Sequence, residues 1–304
     1  ELELLIKEKE SLEKLISTPR LQWREIEKSL NTLIKNFGQE TPLGKRRTTF
    51  GELPNIEIIT EEMHIEKEAI TIILSEKGWI RSFKGHESQK DESVKYKEND
   101  SEKFIIKAFN TDKIIFFSSL GKSYTIIGDK LPKGRGFGES INLIFDLKSN
   151  ENIITMTPFH EDDKFLVASD SGRGFMIESS ELVSSTKNGK SILNLDDGQT
   201  ALCCMKKTHD FIATITQNRK ILIFNASELP QMQKGKGVTL QKTINCKIND
   251  VIFLDPSLGL KWKSGERIRH ETDLIPWISK RAHTGRLAPT GFPRSNTFDE
   301  MLSN

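Results

Sequence analysis

From about residue 56 the chain repeats itself. An apolar strand runs into Ser or Thr, two residues follow, a turn residue closes the corner, and a second strand begins: Leu74-Ser75-Glu76-Lys77-Gly78, Phe117-Ser118-Ser119-Leu120-Gly121, Ala168-Ser169-Asp170-Ser171-Gly172 and Ile215-Thr216-Gln217-Asn218-Arg219. Turn positions 78, 121, 172 and 219 are spaced by 43, 51 and 47 residues, and Ser264-Gly265 supplies a weaker fifth turn another 46 on. A period of this length in Ile-, Phe-, Val- and Thr-rich strands means stacked four-stranded units set as blades around an axis. The expected fold is mainly β and propeller-like, with about five four-stranded blades. Glycine suits the turn because a tight hairpin needs a positive φ, which costs Gly little. Arg219 breaks the pattern, and Asn218, which tolerates the left-handed region, is expected to shift the fourth turn by one residue.

Outside the repeat the period changes. Apolar positions at Leu2, Leu5, Ile6, Leu12, Leu15 and Ile16, then at Leu21, Ile26, Leu30, Leu33, Ile34 and Phe37, lie among seven acidic and seven basic residues, which predicts two amphipathic helices. Thr18-Pro19 reads as an N-cap with Pro in the first turn, and Gly38 as the stop. The organisation read from these signals is a helical segment over 1–38, a linker over 39–55 that carries Lys45-Arg46-Arg47, the β domain over 56–286, and a tail over 287–304. The polar stretch His86–Lys103 reads as an exposed, mobile insertion. The chain opens inside a helical pattern without an initiator Met, as a piece of a longer protein would.

Several function classes fall away. With 45 Lys+Arg against 43 Asp+Glu the net charge is only +2, so attraction to a polyanion must come from local patches. No apolar run reaches the length of a membrane span. Cys203, Cys204 and Cys246 leave no even set for a disulfide framework, and no histidine shares a metal-ligand spacing with them. There is no P-loop, dinucleotide fingerprint, nucleophile elbow or zincin pattern. Asp162-Asp163 and Asp196-Asp197 lie in polar turns and suggest no dyad. No catalytic or metal-binding residue is predicted.

What remains is positive charge at corresponding points of the repeat. Lys122, Arg173 and Lys220 follow their turn residues directly, while Trp79 holds that place in the first unit. A second set accompanies the unit-closing loops: Arg81 and Lys84, then Lys130, Lys133 and Arg135, then Lys187 and Lys190, then Lys234 and Lys236, then Lys280, Arg281 and Arg286. Around an axis, equivalent residues fall on one rim and form a curved cationic belt, weakest beside Trp79. Such a belt suits a bent polyanion, and Lys, at 32 of the 45 basic residues, favours phosphate contact over base readout. A protein-interaction propeller and an enzyme with a funnel site remain alternatives; the first lacks WD-type dipeptides and the second lacks a constellation.

Certain runs are more specific. Ile73-Leu74-Ser75-Glu76-Lys77-Gly78-Trp79-Ile80-Arg81-Ser82-Phe83-Lys84-Gly85-His86 resembles the first-blade signature of the C-terminal domain of the ParC family, the A subunits of topoisomerase IV within the type IIA topoisomerases. The runs 131–139, 229–237 and 280–287 resemble that family's later closing loops, and the helices before Gly38 resemble the segment leaving its breakage-reunion core. The related gyrase A protein has a Gln-Arg-Arg-Gly-Gly-Lys-Gly box that this chain lacks, which favours topoisomerase IV over gyrase. The resemblance implies a β-pinwheel that binds duplex DNA along its edge. It implies a parent in which a ParC homodimer joins ParE, the partner protein of topoisomerase IV, as an A2B2 heterotetramer, using ATP and Mg²⁺ for decatenation and supercoil relaxation. It also implies a cytoplasmic, chromosome-associated protein peripheral to the inner membrane. The family's strand-cleaving tyrosine lies upstream, so the fragment is expected to be inactive by itself.

Overall fold

The computed structural model describes residues 1–46, 48, 66–86, 95–134, 136–264 and 267–298, and the chain divides into two compact units, Glu1–Thr60 and Glu61–Asn304. In the first, helix α1 (Leu2–Ser17) and helix α2 (Pro19–Phe37) meet at Thr18, whose extended backbone turns the chain. Thr18 holds the cap position without a side-chain bond; its carbonyl instead accepts from the amides of Leu21 and Gln22. Gly38 ends α2 for a steric reason rather than through a positive φ, since a Cβ there would lie 2.4 Å from the Ile34 carbonyl oxygen. Neither helix has a buried residue; Leu15 and Leu21, at the corner, are half-buried.

The second unit is built from hairpins. They are β1 (Ala69–Ser75) with β2 (Trp79–Lys84), β4 (Lys113–Ser118) with β5 (Lys122–Ile127), β8 (Lys164–Ser169) with β9 (Arg173–Glu178), and β12 (Phe211–Thr216) with β13 (Lys220–Asn225). Their registers coincide: Leu74 faces Ile80, Phe117 faces Ser123, Ala168 faces Gly174 and Ile215 faces Ile221. In each, the amide of the turn residue (78, 121, 172 or 219) donates to the carbonyl three residues back at 2.9–3.0 Å. Arg219 itself takes φ +59°, so the fourth turn is not shifted onto Asn218 as expected. The recurring Ser or Thr three residues before the turn residue has a reason as well. Ser75, Ser118 and Thr216 accept, through their hydroxyl oxygens, the amide of the first residue after the turn, at 2.9, 3.3 and 3.2 Å.

Each hairpin gains a third strand on its first strand: β3 (Glu102–Phe109), β7 (Ile153–Pro158), β11 (Ala201–Lys206) and β15 (Ile248–Leu254). The fourth strand comes from the next unit. β6 (Glu139–Ser140) leaves the connection after β5 to pair with β2; in the same way β10 (Lys190–Ser191) pairs with β5, β14 (Val238–Thr239) with β9, and β18 (Arg286–Leu287) with β13. Every complete sheet therefore reads third, first, second, exchanged. The expected mainly-β pinwheel is present, with a correction to the count: among the described residues four sheets have four strands, whereas β16 (Leu260–Ser264) and β17 (Arg267–Glu271) form a two-stranded hairpin. The expected fifth turn, at 265, lies outside the described residues.

First strands are buried along their whole length after the first residue, and in the second, third and fourth sheets both of their faces are covered by neighbouring units. Ile114 and Phe116 join Ile72 and Leu74, while Ile115 and Phe117, on the opposite face, join Phe165 and Val167. Leu166 and Ala168 then pack with Ile212 and Leu222, and Ala213 and Ile215 with Leu260 and Trp262. Side chains of this kind contribute about 1.5–3 kcal/mol each when fully buried. The stretch read as a tail is, as far as Phe298, part of this core. Phe292 and Phe298 are buried beside Trp262, whose indole N–H donates to Gly291 O at 2.8 Å. The Arg219 guanidinium fastens the same stretch, donating to Phe292 O, Pro293 O and Asn296 Oδ1 at 3.0–3.1 Å.

Candidate nucleic-acid interface

The strand order decides where the basic residues go. Third strands of successive sheets pack on one another, β3 on β7, β7 on β11 and β11 on β15, so they form the inner side. The exchanged strands and the loops leading into them consequently form the outer edge. Residues following the turns are held there in identical register: Trp79 faces Ser140, Lys122 faces Ser191, Arg173 faces Thr239 and Lys220 faces Leu287. Each closing loop runs beside the second hairpin strand, with bridges Ser82–Lys133, Met176–Gln231 and Ile223–Ile278, and ends in a glycine of positive φ: 138, 189, 237 or 285. At Gly138 and Gly285 a Cβ would sit 2.3 Å from the carbonyl oxygen of Ile80 and of Ile221, so only glycine lets the exchanged strand dock.

Thirteen of the fifteen predicted cations fall into three groups. Lys130, Arg173, Lys187, Lys234, Lys280 and Arg286 are exposed, and Lys220 is half-buried; none of these seven has an ion pair among the described residues. Lys84, Lys133, Lys190 and Lys236 are paired with Glu68 (2.9 Å), Asp129 (2.6 Å), Glu181 (2.9 Å) and Asp196. Exposed pairs of this kind are worth about 0–1 kcal/mol, so they subtract charge from the rim without locking the lysines. Lys122 and Arg281 donate to backbone oxygens, of Asn188 and Thr239 respectively. Arg135 lies outside the described residues.

Arg81 does not belong to this surface. It is 3% exposed, its guanidinium donates to Gly136 O, and it stacks against Phe83 and Tyr96 at 5.1 and 5.5 Å from the ring centroids. Burial pushes its pKa below the usual guanidinium value. The hydropathy pattern of a half-polar strand gives no warning of this, because Arg81 faces Ile73 on the side opposite the first core cluster. Arg81 is thus a structural tie between β2 and the loop over 131–138.

A cation that sequence reasoning missed stands in the first unit. Lys97 Nζ lies 3.2 Å from the centroid of the Trp79 ring. Its segment, expected to be a mobile insertion, is over residues 95–103 bonded to the first hairpin. The amides of Glu76 and Lys77 donate to Ser101 O and Asp100 Oδ1 at 2.9 and 3.0 Å, and β3 begins at Glu102. Residues 87–94 of the same insertion lie outside the described residues. No sequence signal could have paired residues 79 and 97 across the rest of β2 and a polar stretch of sequence.

Each of the two tyrosines is tied to a glutamate. Tyr124 is buried and donates to Glu151 Oε1 at 2.8 Å, and burial with that carboxylate raises its pKa; Tyr96 donates to Glu102 Oε2 and is pushed up to about 12 by burial first and Glu102 second. Among the described residues no cluster of His, Cys, Asp or Glu could hold a metal ion, and no helix is long and apolar enough to cross a membrane.

Comparison with known proteins agrees with this geometry. The model of the DNA gyrase C-terminal domain, beta-propeller, matches residues 112–160, 163–200 and 210–250. The chain is 41% identical over 295 residues to the DNA topoisomerase 4 A-subunit of Rickettsia bellii (strain RML369-C), covering 97% of this chain and 40% of that one. The counterpart in Escherichia coli (strain K12) is 31% identical over 235 residues, covering 77% of this chain and 30% of that one. The chain thus spans about 40% of the length of the curated relatives it matches over nearly its whole extent. Among solved structures, the E. coli ParC C-terminal domain superposes with a TM-score of 0.66 at 29% identity, covering 75% of this chain and 96% of that chain. With its exchanged-strand sheets and these matches, the chain belongs to the family of C-terminal domains shared by the A subunits of topoisomerase IV and gyrase.

Proposed function

We propose that the outer edge of the pinwheel binds duplex DNA and bends it along the curve of the sheets. The observation that carries this reading is the shared register of Lys122, Arg173 and Lys220 at the outer side of successive sheets. Cations placed by backbone pairing, rather than by specific side-chain partners, suit phosphates and give sequence-independent affinity through counterion release. The parent protein would be a ParC-type chain of topoisomerase IV that dimerises through regions outside this one. It would join ParE as A2B2 and pass one duplex through another, in decatenation and supercoil relaxation, with ATP and Mg²⁺ used elsewhere in the assembly. The chain itself would hold DNA without cutting it, a reading supported by the hydrogen bonds that tie Tyr124 and Tyr96 to Glu151 and Glu102 and by the resemblance, in which the strand-cleaving tyrosine lies upstream. Its setting would be the cytoplasm, on the chromosome; contact with the inner membrane rests on the family resemblance alone.

The test is a salt titration of binding to a random-sequence duplex. Affinity should fall linearly in log–log form, with a slope of several units that is the same for unrelated sequences. A salt-independent affinity, or a covalent adduct with supercoiled plasmid in the presence of Mg²⁺ and ATP, would overturn the reading.

A further inference from the structure

Three of the four complete units place a cation directly after the turn, and the first places Trp79. The indole is not an interruption, because Lys97 Nζ is seated 3.2 Å over it. The seat is built on both sides of Lys97. Tyr96 packs against Arg81 and donates to Glu102 Oε2 at 3.2 Å, and Glu98 O accepts from Lys77 Nζ at 3.0 Å. Asp100 then accepts the amides of Lys77 and Ser101, and Lys103 pairs with Glu76 at 3.3 Å. An ammonium over an indole is attracted by the ring quadrupole. That attraction orients the lysine while leaving its net charge intact. Lys84, Lys133, Lys190 and Lys236 differ, since each is offset by a carboxylate. Lys97 has no ion pair among the described residues.

We propose that Lys97, seated on Trp79, is the phosphate-contacting cation of the first unit, delivered by the 95–101 segment to the rim position that Lys122, Arg173 and Lys220 fill from their own strands. The inference rests on the rim being the DNA path. It reverses the expectation of a belt weakest beside Trp79.

The experiment is a salt titration on the whole chain with K97A, R173A, K122A and the double variant W79K/K97A, each checked for native unfolding temperature. K97A should lower the log–log slope by about 0.9, the contribution of one phosphate contact, so that the affinity lost between 50 and 200 mM salt shrinks about 3.5-fold. R173A should do the same. W79K/K97A returns a cation to the same register and should restore the slope. If R173A and K122A lower the slope and K97A does not, the assignment of Lys97 is wrong while the rim reading stands. If none of the three lowers it, the rim reading fails and this inference fails with it.

Discussion

Arg219 carries two opposed effects whose balance can be measured. It occupies a turn with φ +59° where the equivalent residues are Gly78, Gly121 and Gly172, at φ +80°, +74° and +86°. A left-handed backbone costs a residue with a Cβ roughly 1–2 kcal/mol relative to glycine. Against this, its guanidinium makes three hydrogen bonds to Phe292 O, Pro293 O and Asn296 Oδ1, and Asn296 returns one to Gln217 O at 3.2 Å. Bonds from a charged donor contribute roughly 1.5–3 kcal/mol each, and for a half-buried side chain the lower end applies, giving about 4.5 kcal/mol in all. Arg219→Gly should therefore relieve about 1 kcal/mol of strain, lose about 4.5, and lose a few tenths more through the looser unfolded chain, a net loss of about 4 kcal/mol. For a domain of this size that is a fall in unfolding temperature of about 8–16 °C. Arg219→Ala keeps the strain and should fall further. The assay is thermal unfolding of both variants, with amide hydrogen exchange at Phe292–Phe298 as the local readout. If Arg219→Gly melts at or above the parent temperature, the guanidinium bonds contribute nothing and the fastening of the C-terminal stretch to the fourth turn is not what holds it.

Other outcomes follow from the same geometry. Asp196→Asn removes the carboxylate that offsets Lys236, so DNA affinity at low salt should rise by a few-fold with a steeper salt slope, read in a binding titration. Arg81→Ala should cost about 2–3 kcal/mol by leaving Gly136 O and two aromatic faces without their partner, yet leave the slope unchanged, as denaturant unfolding and DNA titration together would show. The Asp100 carboxyl is raised by burial, but bonds from the Ser75 hydroxyl and the Lys77 and Ser101 amides outweigh this and hold it below its ordinary range. A depressed folded value stabilises above the unfolded value and is lost as pH falls through the folded one. Acidification below the ordinary carboxylate range should accordingly loosen residues 95–101, and Asp100→Asn should remove that pH dependence of amide exchange.

What could be read in advance was whatever one local rule determines. The turns at 78, 121 and 172 were legible because a positive φ selects glycine, and the hairpin strands because residues such as Ile114–Phe117 are covered on both faces. Arg219 misled for the opposite reason, since the bonds that offset its φ reach 73 to 77 residues along the chain. Exchange between blades is implied by the family resemblance, but the exchanged strands could not be located from the residues themselves because two residues, such as Glu139–Ser140, show no period. Their signal lay one residue earlier, in the recurrence of Gly138, Gly189, Gly237 and Gly285. Basic residues were legible as a set but not as individuals. Whether a lysine faces solvent, as Lys234 does, or a carboxylate, as Lys236 does, depends on Asp196, forty residues away. The helices were legible from their period, while the neighbours of their exposed apolar residues are not encoded in that period.

Strand exchange also separates the unit of inheritance from the unit of structure. No complete sheet here is continuous in sequence: the stretch from β6 through β9 gives one strand to the first sheet, one to the second and a hairpin to the third. A deletion that removes one sheet cleanly therefore has no breakpoints to use. A deletion of one full period does, because if residues from after β5 to the end of β9 were lost, β10 would meet β2 and β11 would meet β4, each an edge of the kind it already pairs with. Overlapping joints of this sort let genes gain or lose whole repeats at any matching phase without leaving a raw sheet edge. The number of sheets, and with it the length of outer edge, can then drift by recombination while the pairing grammar stays fixed.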